Sequence, residues 1–136
     1  METALKLLFD THVWIWAVQE PERIPRSVKR VITNVSNQLY LSPISIWEAC
    51  HLHTRGRLRT KQTFPVWLEA GFAASPIHEA PFSFAVATEA ARITLPQPDP
   101  GDVFLAATAV ALDLTLITAD EQFLECSWLK TIDCRA

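Results

Sequence analysis

The stretch Pro98-Asp99-Pro100-Gly101-Asp102-Val103-Phe104-Leu105-Ala106-Ala107-Thr108-Ala109 decides how the rest of the chain is read. A turn bearing two carboxylates runs straight into a small-residue apolar helix. Asp99 before Pro100 predicts an N-cap followed by a proline at the first helical position, where a missing N–H costs nothing. Asp102 then falls in the first turn, where the helix dipole favours negative charge. Capping and the dipole would by themselves account for both acids. Three further acids, Asp10, Glu48 and Asp120, also stand at the exposed ends of apolar runs.

Working outward, Leu5-Lys6-Leu7-Leu8-Phe9 is a short apolar run that predicts a strand buried on both faces and ending at Asp10. Asp10 or Thr11 caps a helix over His12 to Val18. Trp14 and Trp16 within it cannot both face one stripe, so one is expected at a subunit contact. Arg26 to Asn34 has helical spacing, with Val28, Val31, Ile32 and Val35 on its apolar face. Gln38 to Leu41 is a second strand. Ser42-Pro43 starts a helix that continues over Ile44 to His53 and closes near Gly56. Glu48 then lies in its second turn. A start at Ser45 would instead make Ser45-Ile46-Trp47-Glu48 a capping box, with a structural job for Glu48.

Thr63 to Phe72 predicts an amphipathic helix, and Ser75 to His78 a brief extended piece. Pro81 to Ile93 predicts another helix with Phe82, Val86 and Ala90 inward. The prolines between Leu95 and Pro100 exclude helix there. The alanine-rich helix ends near Leu112, and Leu114 to Thr118 is the clearest strand, ending at Ala119-Asp120. One helical turn follows, and Trp128 to Ile132 predicts an edge strand. Strands alternating with helices imply a three-layer α/β/α sandwich with a central, mainly parallel sheet of four to five strands. Ligands of such sheets bind beyond the carboxyl ends of the strands. That places Asp10, Glu48, Asp102 and Asp120 around one crevice.

The length of 136 residues fits a single domain spanning 1–136, and a 49% hydrophobic content supports a real core. No apolar run is long enough to span a bilayer, and no signal-peptide pattern opens the chain. Three cysteines without paired spacing argue against a disulfide framework and for reduced thiols in the cytoplasm. A formal net charge of −3 gives no bulk attraction for nucleic acid. The sign is uneven, however. Arg55, Arg57, Arg59 and Lys61 form one basic run, and Arg23, Arg26, Lys29 and Arg30 another. Such runs are usually solvated surface.

Two carboxylates about 4 Å apart repel by roughly 4 kcal/mol at an effective dielectric of about 20, so a cluster persists only where a cation or shared proton offsets it. Oxygen-only donors select Mg²⁺ or Mn²⁺. Three glycines and no Gly-x-x-x-x-Gly-Lys leave no phosphate loop. Carboxylate-held metal without such a loop suits phosphodiester hydrolysis.

Leu-Leu-Phe-Asp10-Thr11-His12, Ser45-x-Trp47-Glu48, Asp99-Pro100-x-Asp102 with Ala106-Ala107-Thr108-Ala109, and Leu116-Ile117-Thr118-Ala119-Asp120 together resemble the PIN-domain family. Within it the pattern is most similar to the VapC-type toxins of bacterial toxin–antitoxin pairs. Gly56-Arg57-Leu58 and Phe64-Pro65-x-Trp67-Leu68 resemble the same subgroup. The resemblance covers nearly the whole chain. It implies a PIN fold, Mg²⁺- or Mn²⁺-dependent endoribonuclease activity, a homodimer, and neutralisation by a cognate VapB-type antitoxin. Its acidic set maps onto Asp10, Glu48, Asp102 and Asp120, with Thr11 as a supporting polar position and Asp99 as an extra acid. Arg55, Arg57 and Arg59 are expected to hold RNA phosphates. The sequence departs from the pattern at Gln97-Pro98, where relatives carry His-Arg. It departs also at Leu52, where they carry lysine, and at Gly101, where they carry a bulky residue. These departures bear on substrate grip and keep open a non-catalytic PIN-like module that binds RNA or protein. A phosphohydrolase of small molecules would use the same acids. The tryptophans Trp14 or Trp16, Trp67 and Trp128 are expected either in one core or at a dimer or antitoxin interface.

Overall fold

The three inner strands form on short apolar runs, while the two edge strands are mostly polar and partly exposed. A computed structural model describes residues 4–135. Its strands are β1 (Lys6–Phe9), β2 (Gln38–Leu41), β3 (His78–Glu79), β4 (Thr115–Thr118) and β5 (Thr131–Asp133). They pair in the order β3-β2-β1-β4-β5, and every pairing is parallel. β1 is central, with Leu7 opposite Leu39 on one side and Thr115 on the other.

The helices are α1 (Thr11–Gln19), α2 (Arg26–Thr33), α3 (Pro43–Thr54), α4 (Phe64–Ala74), α5 (Phe84–Ala90), α6 (Pro100–Ala111) and α7 (Glu121–Leu124). The two-residue period of a strand sorts the core into two layers. Leu7, Phe9 and Ile117 face one core with Val13, Trp14, Val28, Ala49 and Trp67 from α1 to α4. Leu8 and Leu116 face the other with Leu105, Ala106 and Ala109 of α6 and Phe123 of α7. Alanines let α6 lie close against the sheet. This is the expected three-layer sandwich.

Several local expectations are corrected. The Pro81–Ile93 helix is shorter, because Ser83 caps it and accepts a hydrogen bond from the Val86 N–H. Phe82 consequently lies outside the helix, 43% exposed and edge-on to Phe104, rather than facing inward. Trp67 is buried, T-shaped against the buried Trp14, and its indole N–H donates to Gln19. Trp16 is half-buried beneath the Arg23 guanidinium. The tryptophans that remain exposed are Trp47 and Trp128. Among the described residues, no helix is long and apolar enough to cross a membrane.

Candidate active site

Five carboxylates reach one end of the sheet from four separate segments. Asp10 follows β1 directly, and its N–H donates to the Ile117 carbonyl of β4, which fixes the backbone at the junction of the two central strands. Its side chain caps nothing. Instead Oδ2 accepts a 2.6 Å hydrogen bond from the Thr118 hydroxyl, and Thr118 Oγ1 accepts from the Asp120 N–H at 3.0 Å. The fully buried Thr118 thus ties two of the acids together. Asp120 caps α7 through the Gln122 N–H.

The helix start that the sequence left open is decided here. Ser42 Oγ accepts from the Ile44 N–H, with Pro43 at the first position, so α3 begins early. Ser45 is buried inside the helix, and Glu48 is released from any capping role. The Thr11 hydroxyl lies 2.7 Å from Glu48 Oε1 and 2.9 Å from Ser45 Oγ. An ionised carboxylate can only accept, so Thr11 donates its one hydrogen to Glu48 and receives that of Ser45. On α6, Asp99 is the expected N-cap, with Oδ1 accepting from the N–H groups of Gly101 and Asp102. Gly101 lies against Glu48, whose flexible carboxylate end would have to shift for any larger residue. A Cβ there would come 2.9 Å from Glu48 Oε2, so a glycine leaves room for that carboxylate.

All five acids line one cavity of about 710 Å³ with Thr11, His12, Trp16, Trp47, His51, Leu52 and Arg55. The carboxyl of Asp102 is pushed up from 3.8 to about 7, first by burial and then by Asp99, Asp10, Asp120 and Glu48 in turn. Every other acid of the cavity therefore acts on it. Burial also raises Asp10, against the lowering effect of the Thr118 hydrogen bond. Glu48 is raised by burial, opposed by Thr11 and reinforced by Asp10 and Asp99. The salt bridges among the described residues involve Glu20, Glu89, Asp113 and Asp133, and none of the cavity acids. As the side chains stand, no three Asp, Glu, His or Cys residues among those described are close enough together to chelate an ion. Mutual repulsion favours carboxylates held apart. The donor chemistry fits a hard divalent cation: carboxylate oxygens, two of them steered by threonine hydroxyls, with only His12 adding a weak opposing charge to Asp10 and Glu48 and no salt bridge to any of the acids among the described residues.

A family model described as PIN domain matches residues 7–129. The chain belongs to the PIN-domain family. All five acids of the cavity fall within the matched region. Solved structures share this fold along nearly their full length. One is a VapBC complex from Rickettsia felis bound to a DNA fragment from its promoter, at 15% identity over 95% of this chain and 98% of that one, with a TM-score of 0.69. A DNA-bound VapBC from Salmonella typhimurium is 16% identical over 95% and 98%, with a TM-score of 0.67. FitAcB from Neisseria gonorrhoeae is 22% identical over 93% and 96%, with a TM-score of 0.60. Comparison with curated protein sequences gives no match.

Of the residues singled out from sequence, this PIN domain brings Asp10, Thr11, Glu48, Asp99, Asp102, Asp120 and Arg55 into one cavity. Arg57 and Arg59 are not in it. They line a neighbouring cavity of about 450 Å³ with Arg23, which shares His12, Trp16 and Leu52 with the acidic one. Thr118 gained no role from sequence and Ser45 only that of an alternative helix cap, although both stand inside the quoted motifs. Their partners lie far along the chain, and no local spacing reports that.

Proposed function

We propose that this chain is a VapC-type toxin, a divalent-metal-dependent endoribonuclease neutralised by a VapB-type antitoxin and working as a homodimer in the cytoplasm. The observation that carries this reading is the gathering of Asp10, Glu48, Asp99, Asp102 and Asp120 in one cavity, none of them in a salt bridge among the described residues. Within that cavity the Asp102 carboxyl is raised by burial and by the four other acids. A fold that keeps such a cluster gains from a cation. Asp10 and Asp102 are the residues to hold it, with Glu48 and Asp120 completing the set directly or through water. Mg²⁺ or Mn²⁺, when bound, supplies Lewis-acid polarisation of the phosphodiester and acidifies water.

The remaining work falls to the chain itself. Thr118 orients Asp10, and Thr11 with Ser45 orients Glu48. Asp99 fixes the first turn of α6 that carries Asp102. Glu48 or Asp120 orients the attacking water and takes its proton. Arg55 within the cavity, and Arg57 and Arg59 beside it, hold RNA phosphates at a distance that spares the acids from pairing with them. The VapBC complexes that share the fold support the antitoxin partner.

The test is cleavage of structured RNA by purified, antitoxin-free protein across a titration of Mg²⁺ or Mn²⁺, with Asp10→Asn in parallel. The expected result is metal-dependent cleavage that falls by several orders of magnitude in a folded variant. RNA binding without cleavage at any metal concentration would favour the binding module suggested by Leu52 and Gln97-Pro98. Faster turnover of free nucleotides than of oligonucleotides would favour the small-molecule phosphohydrolase.

A further inference from the structure

Trp47 solves no folding problem. It is 64% exposed, while Trp14 and Trp67 are buried and Trp16 is covered by Arg23. Its indole is nonetheless held in place. The His51 ring lies parallel to it, within 10° and with centroids 5.3 Å apart. Arg55 follows one turn further on. Trp47 and His51 stand four residues apart on one stripe of α3, and Arg55, four further on, is its C-cap residue. All three line the acidic cavity, and Trp47 is the chain neighbour of Glu48.

From this juxtaposition we propose that Trp47, backed by His51, is a stacking platform for one unpaired RNA base beside the scissile phosphate, with Arg55 binding an adjacent phosphate. The proposal rests on the nuclease reading and adds to it the residue that grips the substrate through the face of an unstacked base. A planar, exposed, oriented ring matches a base face, and stacking of this kind tolerates any base. In an A-form duplex each base is already stacked on both sides and offers no free face. The cavity volume lies within the roughly 300–1,000 Å³ of pockets that enclose a ligand about the size of a nucleotide. A protein anchor would be expected in a setting depleted of acidic residues, whereas Trp47 borders five carboxylates. Its companions along α3 are an imidazole and a guanidinium, which suit a phosphate-bearing planar ligand.

The test pairs Trp47→Ala and Trp47→Phe with oligoribonucleotides in which single positions around the cleavage site carry an abasic residue. In the native protein one abasic position is expected to raise KM about tenfold or more, the size of one lost base–aromatic stack, with a smaller change in kcat. In Trp47→Ala that position should cost nothing further, while Trp47→Phe keeps most of the effect. Binding is measured separately by fluorescence anisotropy in an Asp10→Asn background, comparing a labelled single strand with its duplex. A failed nuclease reading then shows as absent cleavage, while the stacking claim still stands or falls on binding. Equal abasic penalties with and without Trp47, or duplex bound as well as single strand, would overturn the proposal. So would unchanged RNA binding in Trp47→Ala accompanied by loss of dimer or antitoxin association, which would assign the ring to a protein interface.

Discussion

Replacing Asp102 by asparagine should stabilise this protein at alkaline pH while removing its activity. Asparagine keeps the shape of a protonated aspartate and deletes the charge. The Asp102 carboxyl titrates near 3.8 when unfolded and at about 7 when folded, so the folded state retains a proton that the unfolded state has lost. Stability associated with that proton is fully present below about pH 4 and is lost as pH rises through 7. At 1.36 kcal/mol per pH unit the whole shift corresponds to about 4 kcal/mol. The side chain is only half-buried, and solvent screening reduces this to about 1–2 kcal/mol. Thermal unfolding in EDTA at low salt is the assay. At pH 8 the Asp102→Asn melting temperature should exceed the native one by about 3–8 °C, and at pH 4 the two should coincide. Adding Mn²⁺ at pH 8 should raise the native protein and leave the variant nearly unmoved. A variant that is less stable than the native protein at pH 8 would refute the reasoning, because the repulsion that defines the cluster would then be absent.

Two further substitutions probe the groups that position the acids. Thr118→Val keeps the volume but leaves Asp10 Oδ2 and the Asp120 N–H without their shared hydroxyl. It should cost about 1–3 kcal/mol in urea unfolding and lower cleavage together with it. Gly101→Ala should raise helix stability by up to about 1 kcal/mol while its Cβ crowds Glu48 Oε2. Melting temperature is therefore expected to hold or rise as kcat falls, and unchanged kcat would mean that Glu48 has room to spare.

The strands were the most legible part of the sequence. Gln38–Leu41 and Thr115–Thr118 are short apolar runs bounded by turns, and nothing but a buried parallel strand suits them. The helix starts at Asp99 and Ser42 were legible because a cap followed by proline has one physical reading. Ser42 and Ser45 still competed, since either serine can cap. The Ser42 cap on the Ile44 N–H and the burial of Ser45 against Thr11 decide between them, and the second contact joins residues thirty-four apart. The same limit hid Thr118, whose partner Asp10 lies at the other end of the chain. The place of Trp67, in the core or at an interface, stayed open for a related reason. Its helix offers several aromatics, and the pairing with Trp14 and the Gln19 hydrogen bond select which one turns inward. Trp47 stood inside a quoted motif, yet its exposure and its stacking on His51 belong to the folded surface alone.

The most direct measurement of the central claim is Mn²⁺ binding to the purified chain at pH 8, followed by the loss of the free-ion electron paramagnetic resonance signal. The account predicts saturable binding that weakens by at least about tenfold in Asp102→Asn and in Asp10→Asn. A native protein that leaves the free Mn²⁺ signal untouched, or variants that bind as tightly as it does, would contradict a cation site built from these carboxylates.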